Sequence, residues 1–237
     1  MARLGVRWDS MGPVLRSLAG SPELRVAGTF THFASADESD PAHTLEQISR
    51  FESALAQMRG AGIDPAEVHL SNSAGLLCFP GTRCCSARPG IALYGYPPAP
   101  DRCPLQLRPA LTLKSRVGRI HRLNTGESIG YNGRFVAQRP TVAATLPIGY
   151  ADGYRRGLTG KGRVLIRGCL VPVLGTISMD MIVIDITNVP EAVEGDEVVL
   201  LGPHDSLTAE DWAGDLGTIS YEVLCGLSNR VPRTYSS

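Results

Sequence analysis

Several short stretches carry side chains able to do chemistry on an anionic group. "SNSAG" (71–75) sets serine hydroxyls directly after an apolar run, where a helix is about to open. Hydroxyls and backbone amides at such a start suit a phosphate, although a serine there also serves as an ordinary cap. "ARPGIA" (87–92) adds Arg88 at the head of another apolar run. A guanidinium cannot shed its charge, so Arg88 either reaches solvent or finds acceptors in a site. His32 in "THFASADE" has no partner at metal-ligand spacing, so no metal is expected, and singly it reads as a core histidine bonded to backbone. Asp37 and Glu38, which follow it, read as solvated charges at a helix start. Further on, "SIGYNGRF", "LPIGYADGYRRG" and "GTISMDM" set tyrosines and an acid beside glycines, where tyrosine ordinarily packs with its hydroxyl wet.

Two rhythms must position these groups. Up to about residue 100, strand-like and helical runs alternate. "LRVAGTFTHF" (24–33) is a strand pattern, and Leu45, Ile48, Phe51, Leu55 and Met58 form one helical stripe. "VHLSNS" (68–73) is a short strand, "AGLLCF" a brief helix, and "RCCSARPGIALYG" returns to the sheet. This alternation predicts parallel βα units whose polar strand ends gather Thr31, His32, Ser71 to Ser73 and Arg88. Such ends form the active-site face of a (β/α)₈ barrel, but that fold typically takes ~250 residues, so only about half of one fits. On these residues alone an open doubly wound sheet suits the length better.

After the proline-rich stretch 96–110 the rhythm changes to short β runs: "LTLKSRVGRIHRL", "TVAATLPIGY", "GRVLIRG", "LVPVLGTIS", "MIVIDIT" and "DEVVLLG". They predict an all-β barrel or sandwich, interrupted by one helix that Thr208 caps with Asp211 three residues on. The expected domains are residues 1–109 and 110–237.

Composition excludes several classes. Lys+Arg and Asp+Glu are both 23, so no net field draws nucleic acid or an anionic membrane. No apolar run reaches membrane-spanning length, and the first residues lack the core of a secretory signal. The six cysteines, at 78, 84, 85, 103, 169 and 225, show no C-x-x-C spacing. They read as reduced, mostly buried thiols of a cytoplasmic protein. Only Lys114 and Lys161 are lysines.

In order, MARLGV, THFASAD, SNSA, RPGIALYG, SIGYNGRF, PIGYADG, GTISMDM and ISYEV resemble the alanine racemase family from Met1 to Arg233. The resemblance implies a fold-type III pyridoxal-phosphate enzyme and a homodimer with shared sites. It would interconvert L- and D-alanine by two-base proton transfer and supply D-alanine for peptidoglycan. The fold implied is α/β plus all-β: the C-terminal part of a (β/α)₈ barrel followed by a β-rich barrel or sandwich domain. It assigns catalytic roles to Tyr131, His32 and Arg88, with Arg88 donating to the cofactor's pyridine nitrogen and Tyr131 arriving from the other subunit. Ser73, Gly90, Ile91 and Tyr221 would hold the phosphate, with Asn72 also at the cofactor. Arg3 would contact the cofactor's phenolic oxygen and, with the Met179 N–H and Tyr131, the substrate carboxylate. Tyr150, Asp37 and Asp180 would shape the entrance.

This sequence also departs from the family. The cofactor-bearing lysine belongs to an upstream strand motif, and neither Lys114, in a β-domain run, nor Lys161, in a glycine-rich turn, matches it. The family's "GMGRLG" stands here as "MARLG", so Met1 reads as an internal start and the chain as inactive alone. Phe135 replaces a frequent tyrosine and Ser178 a common cysteine. Alternatives are a racemase of another amino acid, a related decarboxylase, or a non-catalytic remnant. Arg88 argues against the decarboxylase, which places a carboxylate at the pyridine nitrogen.

Overall fold

A computed structural model describes residues 1–82, 84–202 and 204–235. The chain divides into two compact units, Met1–Arg108 and Pro109–Ser237.

The first unit runs α1 (Gly12–Ala19), β1 (Gly28–Phe30), α2 (Ala42–Gly60), β2 (Glu67–His69) and α3 (Ser73–Cys78). β1 and β2 pair in parallel, Gly28 with Glu67 and Phe30 with His69, so α2 is the crossover helix that such pairing requires. Phe33, Ala36, Phe51, Leu70 and Ala74 form the core, with Ile48, Leu55, Val68 and Phe79 packed on it. Gly75 is dictated by this core, because a Cβ there would lie 2.7 Å from the Phe33 ring. The helical stripe is shorter than its spacing predicts. Phe51 and Met58 are buried, but Leu45 is 54% exposed. Asp37 and Glu38 also stand in the loop before α2, where Asp40 instead accepts the Ala42 N–H at 3.0 Å.

Residues 84–96 do not return to the sheet as a strand. The Arg88 N–H donates to the Ser71 carbonyl at 2.8 Å, giving one parallel bridge between Asn72 and Arg88. Pro89 then has no N–H to extend the ladder, and Ile91–Tyr94 wind into a 3₁₀ turn closed by Gly95 at φ 87°. The cysteines also differ from expectation. All six are free thiols, and Cys84, Cys85, Cys169 and Cys225 are exposed while Cys78 and Cys103 are half-buried. They lie in turns and at element ends, where packing does not shield them.

The second unit contains β3 (Leu113–Arg116), β4 (Arg119–Leu123), β5 (Ser128–Ile129), β6 (Phe135–Val136), β7 (Thr141–Leu146), β8 (Arg163–Ile166), β9 (Cys169–Leu174), β10 (Ile182–Asp185) and β11 (Glu197–Leu201). Helices α4 (Ala209–Leu216) and α5 (Ser220–Cys225) follow. β5 and β6 form a small hairpin, and the others make one antiparallel sheet in the order β3-β11-β8-β9-β10-β7-β4. The two ends of that order, β3 and β4, are joined by only Val117 and Gly118. The Val117 N–H donates to Asp196 O at 2.9 Å and the Gly118 N–H to Thr145 O at 2.8 Å. The bend therefore hands the chain from one sheet edge to the other. The sheet is strongly curled into a half-barrel, and no ladder among the described residues joins its end strands β3 and β4.

Its interior follows the period-2 rule. In β10, Ile182 and Ile184 are buried while Val183 and Asp185 are partly exposed. Helix α4 opens on the capping box read from Thr208 and Asp211, with both reciprocal bonds formed. It buries Trp212, on whose face Tyr154 stands edge-on at 4.9 Å between centroids.

Tyr154 is fully buried and its hydroxyl finds no hydrogen-bond partner among the described residues. Burial and the Asp215 charge hold its phenol in the neutral form. An unsatisfied buried hydroxyl costs about 1–3 kcal/mol, so Tyr154→Phe should leave stability unchanged or raise it by ~1 kcal/mol. The urea midpoint measures this, and a loss of stability would reveal a partner for the oxygen.

Candidate active site

In the first unit the polar groups converge at the ends of β1 and β2. Arg88 donates through Nη2 to the carbonyls of Thr31, at 2.6 Å, and Leu70, at 3.2 Å. Through Nη1 it donates to His69 Nδ1. A guanidinium can only donate, so Nδ1 is the accepting atom in this contact. The same cation lies 5.1 Å over the Phe30 ring, and His69 stacks on that ring at 5.1 Å. Arg88 is therefore built in rather than snorkelling, and among the described residues its Nε–H and one Nη1–H have no acceptor.

The structure also separates the cap from the cradle in "SNSAG". Asn72 caps α3, accepting the Gly75 N–H at 2.9 Å, and its amide reaches Phe33 O at 3.4 Å. Ser73 is thereby released from capping. Its buried Oγ accepts the N–H groups of Gly90, at 2.9 Å, and Ala92, at 3.3 Å. A Cβ added at Gly90 would meet nothing within 4 Å, so space is open beside this cluster of donors. Ile91 is the buried first residue of the same 3₁₀ turn. Ser71, in contrast, is absorbed into the buried framework: its hydroxyl donates to the Thr82 carbonyl at 3.0 Å and meets the Thr82 hydroxyl at 2.9 Å.

His32 lies in the field of Arg88 and Arg3. Partial burial first, then those two cations, hold its pKa below the ordinary 6.5, so the ring is neutral at neutral pH. Removing one cation should favour the charged form. In Arg88→Leu the His32 midpoint, followed by NMR, should rise towards its ordinary value. A midpoint that stays put would exclude Arg88 as a cause and leave burial and Arg3. Arg3 and Asp37 are exposed.

In the second unit Tyr131, Met179, Asp180 and Tyr150 come from three loops that cross closely. Tyr131 is 68% exposed at the tip between β5 and β6. That tip leans on the segment after β9: a Cβ at Gly175 would lie 2.9 Å from Ile129 O, and one at Gly130 would lie 3.4 Å from the Thr176 amide. The opposite side of the same segment meets the Tyr150 turn. There the N–H groups of Tyr150 and Ala151 donate to the carbonyls of Ser178, at 3.1 Å, and Met179, at 3.0 Å. A Cβ at Gly149 would fall 2.5 Å from the Met179 carbonyl carbon, and closer still to both carbonyl oxygens. Segment 175–180 is thus a spine between the two tyrosine-bearing turns. No backbone carbonyl among the described residues accepts the Met179 N–H. Tyr221 is part-exposed in the first turn of α5, a helix that the sequence reading does not anticipate.

Three participants escape the sequence reading. His69 is the last residue of β2, and only the parallel register with β1 brings it under Arg88. Asp152, buried, accepts the Gly149 N–H at 2.9 Å, and Arg230 pairs with Asp152 at 3.3 Å and Asp180 at 2.9 Å. The "GYADGY" motif displays Asp152, but nothing local ties it to a residue 78 positions later.

These elements define a class: a βα-barrel portion whose strand ends gather hydrogen-bond donors, followed by a strongly curled antiparallel β half-barrel. Residues 1–98 match the alanine racemase N-terminal domain and residues 110–235 the alanine racemase C-terminal domain. An alanine racemase of Symbiobacterium thermophilum is 44% identical over 99% of this chain and 63% of its own length. A solved alanine racemase of Clostridium difficile 630 superposes with TM-score 0.91 at 38% identity, covering 98% of this chain and 61% of its own. That of Bacillus anthracis with bound L-Ala-P gives 0.89 at 37%, covering 98% and 61%. The chain belongs to the alanine racemase family, and it spans less than two thirds of the length of these relatives. Among the described residues, no helix is long and apolar enough to cross a membrane.

Proposed function

We propose that this chain supplies the phosphate cradle, the pyridine-nitrogen partner and one of the two proton carriers of a cytoplasmic, homodimeric alanine racemase. The observation that carries the reading is the Ser73 hydroxyl shared by the Gly90 and Ala92 amides, beside an Arg88 with donors to spare. The fit to pyridoxal phosphate rests on that donor set. The Ser73 hydroxyl keeps its proton to donate while accepting the Gly90 and Ala92 N–H groups. With open space at Gly90 it suits a phosphate oxygen, to which those two amides could turn. When bound, the cofactor supplies the electron sink that makes an amino acid's α-proton removable. Ser73, Gly90, Ile91 and Tyr221 would hold its phosphate, with Asn72 keeping α3 in place beside them.

Arg88 contributes a charge that no base in the site removes, so a ring nitrogen facing it stays unprotonated. That limits how deeply charge is drawn from the α-carbon and favours prompt reprotonation over decarboxylation. Arg3 and the Met179 N–H bind the substrate carboxylate. Tyr131, delivered by the partner subunit, takes or returns the proton on one face. His32, neutral here, acts as a hydrogen-bonding neighbour rather than as a charge. Tyr150, Asp37 and Asp180 line the entrance.

The base for the second face is, by family resemblance, a lysine of an upstream strand motif that neither remaining lysine matches: Lys114 sits in β3, paired with Glu197, and Lys161 reaches the Asp215 carbonyl. These 237 residues alone should therefore bind pyridoxal phosphate weakly and not racemise alanine. Borohydride reduction in its presence, followed by peptide mapping, should find no stoichiometric label on either lysine. Joined to the family's lysine-bearing portion, the chain should convert L-alanine to D-alanine, and Ser73→Ala should weaken cofactor binding. Label on Lys114 or Lys161 together with racemisation would overturn this assignment. An extended chain that binds the cofactor without racemising any amino acid would favour the non-catalytic remnant.

A further inference from the structure

We propose that Arg230 is a positioning residue that clamps the Tyr150 turn to the Met179 segment, setting the affinity of the site for its substrate carboxylate. The proposal rests on the racemase reading for its substrate and on geometry alone for the clamp. Arg230 follows α5, far in sequence from both loops. Its Nη2 donates to Asp180 Oδ1 at 2.9 Å, and its Nε stands 3.3 Å from Asp152 Oδ1. One planar cation thus joins two carboxylates that would otherwise repel each other.

Each carboxylate is tied to a different candidate loop. Asp152 is buried, and its Oδ2 accepts the Gly149 N–H at 2.9 Å, fixing the turn that presents Tyr150. Asp180 directly follows Met179 on the spine between the two tyrosine-bearing turns. The clamp is itself anchored: Arg230 N–H donates to Ser228 Oγ at 3.2 Å, and Ser228 N–H to Asp152 O at 3.0 Å. Between the joined segments run the Tyr150-to-Ser178 and Ala151-to-Met179 backbone bonds. The orientation of the Met179 peptide, whose N–H faces the substrate in this reading, therefore depends on a residue outside substrate reach.

The energetic signature of a clamp differs from that of a core contact. Arg230 and Asp180 are about half exposed, so the pair contributes little to global stability, while its removal frees the two loops locally. In the 237-residue chain, Arg230→Ala should speed hydrogen exchange at the Gly149, Tyr150 and Ala151 amides by about tenfold or more. Exchange at Ile184 and Val198 in the barrel strands should not change. Arg230→Lys, a point charge that cannot hold both carboxylates as a fork, should restore only part of the protection.

In the chain joined to the lysine-bearing portion, Arg230→Ala should raise KM for alanine about tenfold with kcat within about threefold, because carboxylate binding is shared by ground and transition states. Asp180→Asn should move the same quantities in the same direction. Unchanged exchange at the three loop amides, or equal acceleration throughout the barrel, would overturn the clamp. So would a fall in kcat at constant KM. A wild-type extended chain that fails to racemise would refute the racemase reading instead, and the exchange comparison, which needs no substrate, would still decide the clamp.

Discussion

Replacing Tyr131 by phenylalanine should cut racemisation by a factor of at least ~10² in the chain joined to the lysine-bearing portion, while leaving the fold intact. The structure separates these effects. The ring is 68% exposed, so losing one oxygen opens no cavity. The tip that carries it is held by backbone contacts of Ile129 and Gly130 with Gly175 and Thr176, none of which uses the phenol. Thermal stability and cofactor affinity should therefore match the unsubstituted chain. The loss should also be one-sided. Exchange of the α-proton with deuterated water should persist for the enantiomer served by the lysine face and nearly vanish for the other. Equal slowing of both would make Tyr131 a structural residue. Mixing a Tyr131→Phe chain with one lacking the lysine tests whether the tyrosine acts across a dimer: one site per heterodimer would then hold both bases. Recovery of activity supports supply in trans, and confirmed heterodimers without recovery exclude it.

Gly149→Ala should be the most damaging single methyl in the second unit. The backbone conformation is not the reason, since Gly149 is absent from the positive-φ glycines. The reason is space: the new Cβ would overlap the Ser178 and Met179 carbonyl groups, which are backbone and cannot rotate aside as a side chain would. Overpacking ordinarily costs about 1–3 kcal/mol, and a clash with two peptide groups belongs at or above the upper end. A Tm lower by roughly 10 °C follows for a unit of this size. Gly214→Ala is the control. It lies within α4 with nothing within 4 Å of a new Cβ, so it should be neutral or stabilising by up to ~1 kcal/mol. If Gly149→Ala melts like the control, the two loops separate readily and the spine does not hold them.

The all-β character of the second unit was legible because antiparallel strands with one buried face write their period into the sequence, as in Ile182 and Ile184 alternating with Val183 and Asp185, while the choice between barrel and sandwich was not. The Thr208 capping box is equally local, and both its bonds form. The first unit was less legible. "LRVAGTFTHF" predicts a ten-residue strand, but only Gly28–Phe30 pair, because a ladder extends only as far as its partner does. The apolar run after Arg88 reads as a strand, yet Pro89 and Gly90 end the pairing after one bridge. Exposure of the cysteines was missed because burial frequency by residue type says nothing about turns.

Within the candidate site, the types Arg88, Ser73 and Tyr131 could be singled out, but not their partners. That Ser73 is free because Asn72 takes the cap, or that Gly149 meets Met179, depends on chain segments meeting in three dimensions. Such crossings leave only a glycine in the sequence, and many glycines mark nothing more than a turn.

The bend at Val117 and Gly118 also sets an order of events as the chain is made. β3 opens the second unit, but its partner β11 ends at Leu201, so the sheet cannot be completed until most of that unit has left the ribosome. Until then β3 is an unpaired edge, exposed for the time needed to synthesise some eighty further residues, and that interval is where a chaperone or a neighbouring nascent chain would find it. A stop codon between β10 and β11 would leave six of the sheet's strands, with nothing to pair β3 to β8. The Tyr150 turn and the Met179 segment would both have been made, on a sheet that is never completed.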